Sequence, residues 1–167
     1  QSGGGLREAG AETRVVLVGG GHAHVVALRA LGRAYRTRGG PLRVALVSPS
    51  EAALYSGLVP ATVAGARPEG DLRIGLRALC AWAGTDFVRG AAAGVDWAAR
   101  QLLLRGGARL PFDVLSFDVG SASRAPPAVA RCPRALRTRP LAALLEGVRR
   151  LEAEEEKEEK EAAEAAA

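Results

Sequence analysis

Six consecutive residues, Gly19-Gly20-Gly21-His22-Ala23-His24, carry the clearest chemistry in the sequence, and they directly follow the apolar run Arg14-Val15-Val16-Leu17-Val18. The glycines suit an anion. Gly19 permits a tight turn out of a strand, and Gly21 lets a pyrophosphate approach the backbone. The N–H groups and positive dipole end of a following helix would then hold the diphosphate. A lone glycine fingerprint says little. One set between a buried strand and an amphipathic helix, with a second strand after it, reads as a nucleotide-binding turn. The third fingerprint position, ordinarily Gly or Ala, is His24, whose bulk should push the helix outward or tilt it. In the arrangement that follows most simply, His22 lies near the phosphates and His24 packs under the turn. The two histidines are not expected to chelate a metal. Residues i and i+2 of a helix face different ways, and no Cys, Asp or Glu clusters beside them.

A second position with chemical meaning is the end of the next apolar run, where an acid would hold the ribose hydroxyls of an adenosine. The chain has Ser48-Pro49-Ser50 there, with Glu51 close enough to substitute. Ser48 would bond a ribose more weakly than a carboxylate does. The missing acid would also tolerate a ribose phosphate beside nearby arginines, which keeps NADP open. Asp118 is expected to be buried at the end of the last strand, either bonding backbone near the turn or shaping a cofactor loop. The sequence holds no GxSxG, P-loop, HExxH or CxxC, and names no general acid or base. Cys80 and Cys132 are too far apart for a redox pair or a zinc spacing, and both are expected to be packing residues, in keeping with a reducing intracellular compartment.

These residues need elements to hold them. Residues 14–18 and 42–47 read as strands buried on both faces. Between them, apolar residues at Val25, Val26, Leu28, Leu31 and Tyr35 give the helical spacing of residues 22–38, stopped by Gly39-Gly40-Pro41. Residues 54–65 read as a loop or short helix. Asp71 to Trp82 reads as a helix, with Asp71 as N-cap and Gly84 as its stop. Residues 85–89 read as a third strand. Residues 95–97 and 102–104, with the Gly106-Gly107 turn, suggest a hairpin or meander. Residues 112–119 read as a strong strand, 125–133 as a Pro/Ala loop, and Pro140 to Leu151 as the start of a helix.

Charge is unevenly spread. Residues 1–150 carry 21 Arg, no Lys and 10 acids, a net +11, whereas residues 151–167 carry two Lys and eight Glu, a net −6. The arginines are scattered and not interleaved with stacking aromatics, so GC-rich coding explains them better than nucleic-acid binding. No apolar run is long enough to span a membrane. The chain begins with Gln1 and contains no Met, so it is not expected to be a complete translation product. Residues 1–13 are expected to form a disordered lead, and residues 151–167 a solvated Glu/Ala-rich helical tail.

Several segments together resemble a known family. They are residues 15–24, Leu46-Val47-Ser48-Pro49-Ser50, Tyr55-Ser56-Gly57-Leu58-Val59-Pro60 with Ala64-Gly65, and Asp118-Val119-Gly120-Ser121. In order and spacing they are similar to the pyridine-nucleotide-dependent flavoprotein module of type II NADH dehydrogenases, within the pyridine nucleotide-disulfide oxidoreductase family. They look closest to the branch fused to selenide, water dikinase, where GGGHAH is usual. The resemblance covers residues 14–150 and implies FAD binding by this half. Gly19, Gly21 and His22 would meet the pyrophosphate, Ser48 and Pro49 would lie at the ribose, and Ala92 would offer backbone to the adenine. Tyr55, Ser56 and Pro60 would approach the flavin side, and Gly120, where relatives carry Ala-Thr-Gly, would close over the cofactor. The family adds a second domain for NADH or NADPH and a return segment with Gly-Asp, neither of which is in this sequence.

The fold expected on these grounds is α/β: a three-layer FAD/NAD(P)-binding, Rossmann-like domain over residues 14–150. It has a parallel sheet, helices on one face and an antiparallel β-meander on the other. The function expected is the FAD-binding portion of an NAD(P)H-dependent oxidoreductase. The alternatives are an NAD(P)-binding module without flavin, against which the meander argues, and a non-catalytic fragment. The acceptor, the oligomeric state and the choice between NADH and NADPH are not encoded.

Overall fold

A computed structural model of the chain describes residues 12–38 and 41–166. The expected lead up to residue 11 and the Gly39-Gly40 helix stop lie outside the described residues. In chain order the elements are β1 (Thr13–Val18), α1 (His22–Arg38), β2 (Leu42–Ser48), β3 (Ala52–Leu54), α2 (Val59–Val63), β4 (Arg73–Gly75) and α3 (Leu76–Ala83). There follow β5 (Asp86–Arg89), β6 (Ala92–Asp96), β7 (Gln101–Leu104), β8 (Arg109–Pro111), β9 (Val114–Phe117), α4 (Pro127–Ala130) and α5 (Leu141–Ala165). They divide into two compact units, one ending at Ala53 and resuming over Arg73–Val119, the other made of Leu54–Leu72 and the chain from Gly120 onward.

The first unit is built on a four-stranded parallel sheet in the order β5-β2-β1-β9. Its two central strands, β1 and β2, are short runs rich in Val and Leu because both of their faces are covered. Side chains alternate between the faces with the period of two that strands impose. Leu17, Val44 and Leu46 pack with Val25 and Leu28 of α1 and with Leu76, Cys80 and Ala83 of α3. Val16, Val18 and Val47 pack on the other side with Leu102, Leu104 and Phe112. That second layer is the antiparallel meander β6-β7-β8. Helices on one face, sheet in the middle and meander on the other reproduce the three-layer α/β arrangement that the sequence implied. Burying each such Leu or Val contributes about 1.5–3 kcal/mol.

Some local expectations are corrected. Asp71 does not cap a helix. It sits in a 3-10 turn, Glu69–Leu72, and α3 starts five residues later with Gly75 at its N-cap. Arg73-Ile74-Gly75 is extended instead, because it pairs with β3 in a two-stranded sheet. Gly84 does end the helix, in the left-handed conformation at φ +68°. The strand expected over 112–119 is hydrogen-bonded as a strand only over Val114–Phe117. Phe112 turns into the meander-side core, its N–H donating to the Arg100 carbonyl at 3.0 Å. Val26 keeps to the helical spacing yet is 54% exposed. Cys80 is buried, which pushes its thiol pKa up, but Cys132 is exposed and is no packing residue.

The second unit has its own small core of Val59, Leu72 and Leu145, with Leu54, Leu58, Leu141 and Leu144 around it. Arg149 pairs with Glu69 at 3.2 Å. From Glu152 onward α5 is exposed. It is laced there by i,i+4 pairs such as Lys157–Glu161 at 3.6 Å, each worth a few tenths of a kcal/mol at about the usual 0.3–0.5. Residues 125–133, expected as loop, include the single turn α4. No described helix is long and apolar enough to cross a membrane.

Candidate functional site: the glycine turn at the ends of the parallel strands

The first unit gathers its chemistry where β1, β2 and β9 end. At the C-terminal end of β1 the Gly19 N–H donates to the Val47 carbonyl at 2.8 Å, and Gly19 then turns the chain at φ +96°. Side chains rarely adopt that conformation. A Cβ on Gly19 would also run into the main-chain carbonyl of Asp118, one on Gly20 into the Leu76 side chain, and one on Gly21 into the Asp118 carboxylate. The Gly21 N–H donates to the Asp118 carbonyl at 3.1 Å, and the Val25 N–H donates to Gly21 at 3.1 Å as α1 begins.

The first turn of α1 contains no acidic residue. The N–H groups that a helix start leaves without helical partners need an acceptor. Asp118 supplies one from the end of β9, where its carboxylate accepts the His24 N–H at 3.2 Å. Asp118 is half-buried, not buried as the sequence suggested, and it does bond backbone near the turn.

His24 lies under the turn at 4% exposure. Its Nδ1 is 2.8 Å from the Gly19 carbonyl and its Nε2 is 2.9 Å from Ser116 Oγ. A carbonyl can only accept, so Nδ1 carries the proton. In the neutral ring Nε2 then accepts the Ser116 hydroxyl proton. An imidazole at the position where Gly or Ala is usual is therefore accommodated by hydrogen bonding, and it ties β1, the turn and β9 together. His22 and Ala23 are exposed at the helix start. With one histidine outward and one buried, the pair does not converge, and among the described residues no group of three or more His, Cys, Asp or Glu is placed to hold a metal.

At the neighbouring end of β2, Ser48 is buried at 4% exposure and its Oγ accepts the Ser50 N–H at 3.3 Å. The Ser48 carbonyl accepts the Gly90 N–H at 3.0 Å. Pro49 is exposed. Glu51, the possible substitute for a ribose-binding acid, is engaged elsewhere. Its Oε1 accepts from Arg77 Nη2 at 2.8 Å and lies 4.0 Å from Arg89. The Arg77 hydrogen bond, and then its charge, hold the Glu51 carboxyl below the usual carboxylate range. Arg77 also lies over the Phe87 ring, 4.9 Å from its centroid. Ala92 opens β6 opposite Leu104 and is half-buried.

The remaining expected residues belong to the second unit. Tyr55 is 38% exposed with its ring lying over Gly57, where a Cβ would come within 2.7 Å of the ring. Ser56 starts a 3-10 turn, Pro60 occupies the first turn of α2, and Gly120 has φ +75°. The structure thus brings together residues 19–24, Ser48 and Asp118 in one unit. Ser116 and Leu76 complete that site and were missed. A lone hydroxyl inside the apolar run Val114-Leu115-Ser116-Phe117, in a chain whose fingerprint holds a histidine that needs a partner, was the available signal for Ser116.

No protein-family model matches the chain, and no curated protein matches it. Solved structures share its fold. A ferredoxin reductase from Rhodopseudomonas palustris superposes with a TM-score of 0.59 at 21% identity, over 76% of this chain and 32% of that one. The sulfide:quinone oxidoreductase of the hyperthermophilic bacterium Aquifex aeolicus gives 0.55 at 21%, over 65% and 24%. The water-forming NADH oxidase from Lactobacillus brevis, bound to NADH, gives 0.56 at 15%, over 69% and 26%. The fold is that of FAD/NAD(P)-binding, Rossmann-like domains. The chain spans a quarter to a third of the length of these neighbours.

Proposed function

We propose that this chain is the FAD-binding portion of an NAD(P)H-dependent flavoprotein oxidoreductase, with the binding domain over residues 14–150 and an acidic helical tail over 151–167. In the whole enzyme a hydride would pass from NADH or NADPH to FAD and on to an acceptor. The observation that carries this reading is the glycine turn between β1 and α1, at the carboxyl edge of a parallel sheet whose far face holds a meander. Ligands of open parallel sheets bind outside the carboxyl ends of the strands. The position after β5, where a doubly wound NAD domain would place another helix, is taken by β6–β8, which favours flavin over a module for NAD(P) alone. The fold neighbours, all named for redox reactions, support the same class. The finer assignment, to the branch fused to selenide, water dikinase, rests on the GGGHAH segment and its companions.

The residues present fit the adenosine diphosphate part of FAD. The glycines of the turn carry no side chain of their own to obstruct a diphosphate, and the start of α1 offers N–H groups and the positive end of a 17-residue helix. Ser48 suits a ribose, because the bond it accepts from Ser50 leaves its own hydroxyl proton to donate. Among the described residues at the turn, Asp118 carries the wrong charge for a diphosphate. FAD, when bound, would supply the hydride and electron chemistry, and the protein would supply position and electrostatics. In this reading the turn holds the diphosphate, and His24 fixes the turn by clamping Gly19 to Ser116.

The test is a visible absorption spectrum of the purified chain with and without added FAD, after removal of free cofactor. The proposal expects a retained flavin spectrum that is lost in Gly21→Asp while circular dichroism is unchanged. A folded, colourless chain with no affinity for FAD overturns it.

A further inference from the structure

We infer that Asp118 stands in for a ligand phosphate at the start of α1, so that its carboxylate must move away before an anionic ligand binds there, and that it thereby sets the affinity of the turn. This rests on the dinucleotide reading above. Two contacts place the carboxylate: it accepts the His24 N–H at 3.2 Å, and it lies so close to Gly21 that not even a methyl group fits between them. The absence of a side chain at Gly21, which the fingerprint reserves for close approach of a phosphate, is here used by the chain's own anion.

The backbone of Asp118 is fixed. Its N–H donates to Val18 at 2.8 Å, and its carbonyl accepts from Gly21 at 3.1 Å. Only the side chain can yield. A diphosphate approaching the same N–H group meets a like charge at short range. Such juxtaposition weakens binding, and a tenfold loss of affinity corresponds to about 1.4 kcal/mol. Because the first turn of α1 lacks an acid of its own, the carboxylate also stabilises the helix start when no ligand is there. The one residue therefore holds the turn in shape and opposes the ligand it is shaped for.

Asp118→Asn keeps the shape and an oxygen for the His24 N–H while removing the charge, and Asp118→Ala removes both. Calorimetric titration of the full 167-residue chain with FAD, ADP and adenosine separates the possibilities. The inference expects both variants to bind FAD and ADP about tenfold or more tightly than the unmodified chain, with adenosine binding unchanged. Variants that bind FAD and ADP no better, alongside an unmodified chain that does bind them, overturn the inference and leave the dinucleotide reading standing. If no form binds FAD or ADP, both fall. A measurement on the unmodified chain needs no variant to fold. Saturating ADP, but not adenosine, should shift the side-chain carboxyl carbon resonance of Asp118, and no shift at saturation also overturns the inference.

Discussion

An imidazole removed from water costs free energy unless both ring nitrogens find partners. His24 has both, in the Gly19 carbonyl and the Ser116 hydroxyl. Exchanging it for an apolar side chain of similar size leaves that hydroxyl and carbonyl without their partner. His24→Leu is accordingly predicted to lower the unfolding free energy by about 1–3 kcal/mol, read from urea denaturation. Unchanged stability would mean that the two bonds contribute nothing to holding the turn. What the residues alone made legible here was the turn, its glycines and the place of His24 beneath it. Asp118 was expected to bond backbone near the turn, and it does, but that its partner is the His24 N–H and that Ser116 meets the ring were not legible, because the two lie 94 and 92 residues from His24 in sequence. Only the pairing of β1 with β9 brings them close.

At the scale of elements, α1 and α3 touch through Gly32. A Cβ there would come within 2.7 Å of the Trp82 ring and 2.8 Å of the Ala83 Cα. Gly to Ala in a helix interior ordinarily gains about 1 kcal/mol from propensity. Here the obstruction includes backbone, which cannot move aside as a flexible side chain can, and overpacking of this kind costs about 1–3 kcal/mol. Gly32→Ala is thus predicted to lower the melting temperature, against the propensity trend, and a rise would refute the close packing. The strands β1 and β2 and the helix α1 could be read directly, since short apolar runs rich in Val and Leu and a 3.6-residue spacing are local signals. The start of α3 could not. Residues 71–75 carry a helix-compatible pattern, and it is the pairing of β4 with β3, a non-local event, that holds Arg73-Ile74-Gly75 extended. The strand expected through Asp118 and Val119 stops at Phe117 for a related reason. The Asp118 carbonyl turns to the Gly21 N–H, and its carboxylate to the His24 N–H.

For the molecule as a whole, the layered α/β arrangement of the first unit follows from composition. The core is mostly Val and Leu, with Cys80 on the helix side and Phe112 on the meander side, and helices and meander sit on either side of the short strands. That arrangement puts the ends of β1, β2 and β9 side by side, so that a turn, a buried serine and a carboxylate far apart in sequence share one edge. If this edge holds the adenosine diphosphate half of FAD, ADP must compete with FAD for it, and a competition experiment decides the matter. FAD fluorescence is followed as the chain is added, and ADP or FMN is then titrated in. FAD is expected to bind, ADP to displace it, and FMN, which lacks the adenosine diphosphate, to leave it bound. Displacement by FMN with no effect of ADP, or no binding of FAD at all, would contradict that placement.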